Sequence, residues 1–306
     1  TQENGVPCRL SYSFEYSDGF GRIAMKKIQA EPGPAKRFVP ATQKVEEVPN
    51  ASPRWVGSGR TVYNNKGKPV KQYEPYFSVT HLYEDAKELV ETGVTPILFY
   101  DPVGRLFKTL LPDGSLTRVE FNPWGQADFD ANDTVSEMEC RWRKDRLEGG
   151  QYAGDIKAVQ AAQQTLAHAA TPTLTIADGL GRPVCVIVHN RVQDATNPGG
   201  DPDDEGYPTF VQLDIEGNQQ YILDARWNRV MEYRYDMLGH AVYQKSMDAG
   251  ERWTLNDCIG KTFKHWDARG NEFTQRYDEV HRPVEMLVRE AGGNERLHEQ
   301  IMYGEG

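Results

Sequence analysis

Residues 235–283 read YDMLGHAVYQKSMDAGERWTLNDCIGKTFKHWDARGNEFTQRYDEVHRP, and one small pattern recurs through them. An Asp is followed three residues later by Gly and then by a polar residue: Asp236-Gly239-His240, Asp257-Gly260-Lys261 and Asp267-Gly270-Asn271. A degraded copy follows at Asp278, with His281 in the Gly position. An Asp that opens a type I turn accepts hydrogen bonds from nearby backbone N–H groups, and a Gly at the fourth position takes a positive φ without steric penalty. A type I turn followed by a left-handed residue is a hairpin loop with a bulge. Aromatic residues stand just before several of these Asp residues (Tyr235, Trp266, Tyr277), and alternating residues follow each Gly. The stretch predicts strand, turn, strand, repeated.

The same unit occurs upstream, which makes it an internal repeat. It is found at Asp18-Gly21-Arg22, Asp101-Gly104-Arg105, Asp178-Gly181-Arg182 and Asp214-Gly217, and in Asn form at Asn64-Gly67-Lys68 and Asn122-Gly125. Asp236 and Asp257 are 21 residues apart, as are Asp101 and Asn122, whereas Asp257 to Asp267 is 10 and Asp267 to Asp278 is 11. A turn plus a strand of about six residues fills roughly ten positions. Turns ten apart should thus alternate between opposite edges of an antiparallel meander, and turns 21 apart should share an edge. The fold class expected is mainly β, a meandering antiparallel sheet.

The remaining segments fit around that sheet. Residues 10–30 read as a hairpin turning at Asp18–Gly21, and Trp55 to Tyr76 as a second, turning at Asn64–Gly67. Residues 31–53 are rich in Pro, Glu and Lys and are expected as a surface loop. Tyr83 to Glu91 suits a short helix, capped by Thr80 and stopped by Gly93. Between 136 and 172 the strand pattern breaks. Ser136 with Glu139 forms a capping-box pattern, and Ile156, Val159, Ala162, Leu166 and Ala170 line one side of an Ala-rich helix ended by Thr171-Pro172. The expected organisation is a hairpin segment over 1–135, a helical insertion over 136–172 and a repeat sheet over 173–306.

Composition narrows the function. The 306 residues carry a formal charge of −10 and are only 38% hydrophobic, with a mean hydropathy of −0.68. This acidic balance argues against a nucleic-acid or anionic-membrane surface. No apolar run approaches the ~20 residues of a membrane span. A sheet wetted on both faces needs fewer apolar residues than a packed core, and 15 Tyr and 6 Trp suit such a surface. The six Trp are scattered along the chain, whereas a binding face would gather aromatics into one cluster. Cys8, Cys140, Cys185 and Cys258 form no CxxC pair, and no HExxH or GxSxG is present. The acidic stretch 194–208 lacks the spacing of a Ca²⁺ loop. No catalytic, cofactor or metal residue is therefore expected. The residues singled out are structural: the turn pairs from Asp18 and Gly21 to Asp267 and Gly270.

Three longer segments carry a resemblance. YSDGFGRIAMKKIQAEPG, RWVGSGRTVYNNKGKPVKQYEPYFS and VEFNPWGQADFDANDTV are similar to the later part of the B component of bacterial Tc insecticidal toxins, and YDPVGRLFKTLLPDG resembles the YD repeats of the wider Rhs family. The resemblance covers most of the chain. It implies a spiralling β-sheet shell around a toxic polypeptide, with no active site of its own. The implied partners are the rest of such a shell chain, a C-component-like partner and the enclosed toxin, in a secreted or cell-surface-associated bacterial toxin complex. No signal peptide is visible. No atypical capping unit ends the array, so the sequence reads as an excerpt of a longer chain.

An alternative of another class is a cell-surface binding module that recognises carbohydrate or protein through an aromatic-rich sheet face. The resemblance also raises self-cleavage at Asp101-Pro102, because Pro96 to Gly104 reproduces the spacing of the motif near which Rhs shells cut themselves. Arg105 stands where that motif has Leu, and the repeats continue well beyond it. The bond is expected to stay intact.

Overall fold

Alternating side chains between Asp and Asn turns fold into antiparallel hairpins over most of the chain, and helices are few. The computed structural model describes residues 10–192 and 203–304. The chain divides into two compact units, one taking in Thr1–Glu120 and Asp128–Thr171, the other Phe121–Ala127 and Pro172–Gly306.

In the first unit the strands are β1 (Ser13–Ser17), β2 (Ile23–Ala30), β3 (Gly33–Val39), β4 (Lys44–Ala51), β5 (Arg54–Gly57), β6 (Thr61–Tyr63), β7 (Pro69–Gln72) and β8 (Tyr76–Ser78). After helix α1 (Lys87–Val90) come β9 (Ile97–Tyr100) and β10 (Leu106–Leu110), followed by β11 (Leu116–Asn122) and β12 (Gly125–Phe129), of which Phe121–Ala127 belong to the second unit, then α2 (Arg141–Leu147) and α3 (Ile156–Leu166). Six strands form one sheet in the order β1-β2-β5-β8-β3-β4. The arm from Trp55 to Tyr76 is two nested hairpins. Its outer pair is β5 with β8, with Val56 opposite Phe77, and its inner pair is β6 with β7, with Val62 opposite Lys71. Met25, Tyr76, Leu89 and Val90 form the core beneath, with Phe38 and Val45 packed on it.

Beside that core lies a fully buried lysine. Lys27 donates from Nζ to the Thr80 carbonyl at 2.9 Å, to Ser78 Oγ at 3.3 Å and to the Glu84 carboxylate. Tyr76 Oη donates to the same Glu84 oxygen at 3.0 Å. A buried ammonium is tolerable only with such a full set of acceptors. Here it pins the 80–86 segment to the sheet.

Three local expectations need correction. Residues 31–53 are not a loop: they contain β3 and β4, paired with Phe38 opposite Val45 and Arg37 opposite Glu46. The charges that suggested a loop are cross-strand partners, with Arg37 Nη2 3.1 Å from Glu46 Oε2. Pro49 falls beside a register shift on the edge strand of the sheet, where a missing N–H is harmless. The helix expected over 83–91 is the single turn α1, with Ala86 rather than Thr80 before it. Thr80 Oγ1 instead accepts from the Leu82 N–H. Ser136 caps nothing either, since α2 starts after Cys140. The true side-chain cap is Asp155, which accepts from Lys157 N and Ala158 N ahead of α3. The far end of this helical segment is tied by Asp133, whose Oδ1 accepts from Thr171 N at 2.9 Å and Thr171 Oγ1 at 2.8 Å.

The second unit is the meander. Its strands are β13 (Thr173–Ala177), β14 (Pro183–Val192), β15 (Asp203–Leu213), β16 (Gln219–Leu223), β17 (Arg229–Tyr235), β18 (Ala241–Ser246), β19 (Gly250–Asn256), β20 (Thr262–Trp266), β21 (Glu272–Tyr277), β22 (Pro283–Arg289) and β23 (Glu295–Gln300). Each pairs antiparallel with the next, so spatial order is sequence order. One face carries cross-strand ion pairs such as Lys245–Glu251 at 3.1 Å, Lys264–Glu272 at 2.8 Å and Arg276–Glu285 at 3.1 Å. These pairs need no deep core and account for the low apolar content.

Candidate functional site: a ladder of aspartate turns

The turn at Asp236 shows how the repeat works. The Asp236 carbonyl accepts from Gly239 N at 3.1 Å, and Asp236 N donates to the His240 carbonyl at 3.0 Å. Asp236 Oδ1 accepts from the backbone N–H groups of Leu238 and His240, each at 2.9 Å. The other carboxylate oxygen meets His240 Nδ1 at 3.1 Å. Gly239 has φ of 82°, a left-handed value that a Cβ would oppose. The strand register slips between Arg234 and Tyr235, which is the expected bulge.

The same arrangement holds at Asp18, Asp101, Asp178, Asp214, Asp257 and Asp267, whose partners Gly21, Gly104, Gly181, Gly217, Gly260 and Gly270 have φ between 77° and 97°. The residue after the Gly decides what closes the second carboxylate oxygen. Arg22, Arg105, Arg182 and Arg282 use Nε at 2.6–2.7 Å. Asn218 and Asn271 use Nδ2 at 2.9–3.0 Å. The Arg, Asn and His residues of the motif thus complete their own turns, whereas the Lys261 side chain reaches another turn.

Electrostatics follow from this geometry. The carboxyls are held below their ordinary range, chiefly by the Arg22 side chain at Asp18, by Arg182 N–H at Asp178 and by the Asn218 amide at Asp214. At Asp101, Asp257 and Asp267 partial burial pushes the other way, and the hydrogen bonds from Arg105, Lys261 and Asn271 more than offset it.

Successive turns also touch. A Cβ placed on Gly67 would lie 3.3 Å from Arg22 Nη1, on Gly217 3.1 Å from Arg182 Nη1, and on Gly260 2.8 Å from His240 Nε2. Lys68 lies against Gly104 in the same way, at 3.2 Å. Lys261 reaches the carbonyl of His281, the residue standing in the Gly position of the next turn. At these positions the polar side chain after the Gly of one turn packs against the Gly position of the next turn on that edge, whereas Gly181 and Gly239 have open space around them.

Two turns differ from the sequence reading. Gly125, in the Asn122 turn, is not in the left-handed region. It is Gly because a Cβ there would lie 1.9 Å from the Thr175 carbonyl oxygen. A further turn, Asp224 to Trp227, has no Gly and was not anticipated. Asp224 accepts from Arg226 N and Asn228 N and from Asn228 Nδ2, and Trp227 sits in the left-handed region with φ of 65°. The Asn four residues after the Asp was the available signal.

The structure also gathers what the sequence scatters. Tyr243 lies opposite Trp253, and Trp253 opposite Trp266, in one cross-strand row. Most of the acidic stretch 194–208 lies outside the described residues. Asp204, at its described end, pairs with Arg191 Nε at 2.6 Å. Among the described residues no group of three or more His, Cys, Asp or Glu could hold a metal ion. Cys140 and Cys185 are buried free thiols and Cys258 is exposed.

The fold matches solved structures. The chain resembles part of a Tc toxin. A crystal structure of TcdB2-TccC3 aligns with 96% of this chain at 25% identity and a TM-score of 0.68. TcdB2-TccC3 without its hypervariable C-terminal region gives 26% and 0.69. A variant of the Photorhabdus luminescens Tc holotoxin pore gives 25% and 0.69. The chain spans 13% of the length of each of these neighbours. No protein-family model matches the chain, and no curated protein does. No helix among the described residues is long and apolar enough to cross a membrane.

Proposed function

We propose that this chain is a non-catalytic structural segment of an Rhs- or Tc-type shell that encloses a toxic polypeptide. The observation that carries the reading is the ladder. A meander whose turns interlock along an edge extends without closing on a central core, as a wall must. The likeness to TcdB2-TccC3 chains over 96% of the sequence supports it. Its partners would be the remainder of the shell, a C-component-like protein and the enclosed toxin, in a secreted bacterial complex.

The test is a protection assay on the full shell carrying this segment, assembled with its partner. Cargo should resist protease inside the wild-type assembly and become sensitive when Gly217→Val and Gly260→Val break the ladder. Cargo digested in the intact assembly as fast as free cargo would defeat the shell reading.

The row Tyr243, Trp253 and Trp266 favours a second reading, a cell-surface binding face for carbohydrate or protein. Binding of the chain to an immobilised glycan panel, lost in Trp253→Ala, would support that reading instead.

A further inference from the structure

The two turn edges of the second unit differ in chemistry. Turns after β13, β15, β17, β19 and β21 share one edge of the meander, and those after β16, β18, β20 and β22 share the other. On the first edge the residues just after each turn Asp include Leu180, Ile215, Met237, Leu238, Ile259 and Val280, each at least 58% exposed. On the second edge the same places in the Asp224 and Asp267 turns hold Ala225-Arg226 and Ala268-Arg269. The third turn position is equivalent on both edges. Leu180, Leu238, Ile259 and Val280 each donate their backbone N–H to the Oδ1 of their own Asp, and so do Arg226 and Arg269. The turn itself therefore does not require an apolar residue there.

Six exposed aliphatic side chains along one edge exceed the singly scattered apolar residues of an ordinary surface. They offer on the order of 400 Å² of apolar area, about half of the roughly 800 Å² that each partner contributes to a stable interface. The opposite edge matches them in charge, size and spacing. The charged residues beside the aliphatic ones are Glu216 and Glu279, whereas the other edge presents Arg226 and Arg269, all of them exposed. Small side chains line that second edge: a Cβ on Gly250 would meet Ala268 Cβ at 2.5 Å, and one on Gly270 would meet Ala291 Cβ at 3.3 Å. Small residues on one side leave room for Leu, Ile and Met on the other. Turns on either edge recur every two strands, about 9.5 Å, so the two edges keep step. Two apolar edges set against each other would instead bring glutamate to glutamate.

We propose that the apolar turn edge of this meander docks onto the arginine-bearing turn edge of a second copy of the chain. Such a head-to-tail contact need not close, so copies stack in series. Its use as the seam between successive courses of a wall rests on the shell reading, whereas the contact itself is tested without cargo. Sedimentation velocity of the full chain over a concentration series should show assemblies that grow past a dimer. Leu238→Ser with Ile259→Ser removes apolar area and should weaken association at least roughly tenfold. Arg226→Glu with Arg269→Glu sets acid against Glu216 and Glu279 and should do the same. All four positions are exposed turn residues, so both variants should melt with the wild type. Mixed in equal amounts, the two variants retain one intact edge of each kind and should form a dimer that grows no further. A chain that stays monomeric at every concentration would overturn the proposal. Unchanged association in either double variant would overturn it too, by assigning the contact to another surface or to apolar edges pairing with each other. So would a mixture of the two variants that remains monomeric.

Discussion

The imidazole of His240 links two turns of the sheet to one glycine: Nδ1 lies 3.1 Å from Asp236 Oδ2, while Nε2 occupies space 2.8 Å from where a Gly260 Cβ would be. Gly260 is therefore constrained twice, by a φ of 82° and by its neighbour's ring. Gly239 has the same φ of 82° and open space around it. The comparison separates the turn from the ladder.

Gly239→Val should destabilise the fold by about 1–2 kcal/mol, the backbone term alone. Gly260→Val should exceed it by about another 1 kcal/mol, because the ring must move as well. Urea denaturation of the two variants measures the difference. Equal losses would mean that contact between turns contributes nothing to stability.

Acid should unfold the sheet through its turns. The folded carboxyls of Asp18, Asp178, Asp214 and Asp236 sit below their ordinary range, so unfolded chains take up protons first as pH falls. Their contribution is complete above the ordinary carboxylate range near pH 3.8 and is lost as pH falls through the lower folded values. Melting temperature should decline on acidification below about pH 4, and these groups add no slope between pH 5 and 8. Asp178→Asn should flatten the acid limb. An acid limb unchanged in that variant would remove the turn carboxylates as its cause.

The buried ammonium in the first unit gives a double-mutant test. Burial draws the Lys27 amine below its usual range, and Glu84 pulls it back. Lys27→Met leaves Glu84 facing the core without its cation and should destabilise by about 3–5 kcal/mol. Lys27→Met combined with Glu84→Gln should recover a large part of that loss. A double variant as unstable as the single one would show that hydrogen bonding to Thr80 and Ser78, not charge pairing, holds the 80–86 segment.

The Asp101–Pro102 bond should survive. Asp101 Oδ1 accepts from Val103 N and Arg105 N, and Oδ2 from Arg105 Nε at 2.7 Å, so both oxygens are held in the turn. Mass measurement after prolonged incubation at neutral pH should return the intact chain. Two fragments meeting near residue 101, abolished by Asp101→Asn, would overturn this.

The sequence by itself determined the meander. Each Asp, its Gly and the polar residue that follows act within five positions, so turn, bulge and strand exit are decided locally, before any distant contact forms. Tertiary structure decided whatever needed a distant partner. The 31–53 segment became two strands because Arg37 and Phe38 met Glu46 and Val45 across a hairpin and β8 covered the free edge of β3. Gly125 is glycine for the sake of Thr175, 50 residues away. The turn at Trp227 is local, but the stacking of its ring on Phe210, 17 residues away on another strand, exists only in the folded sheet. Short-range hydrogen bonds can be read from spacing, whereas the packing of side chains from separate strands exists only once the sheet has brought them together.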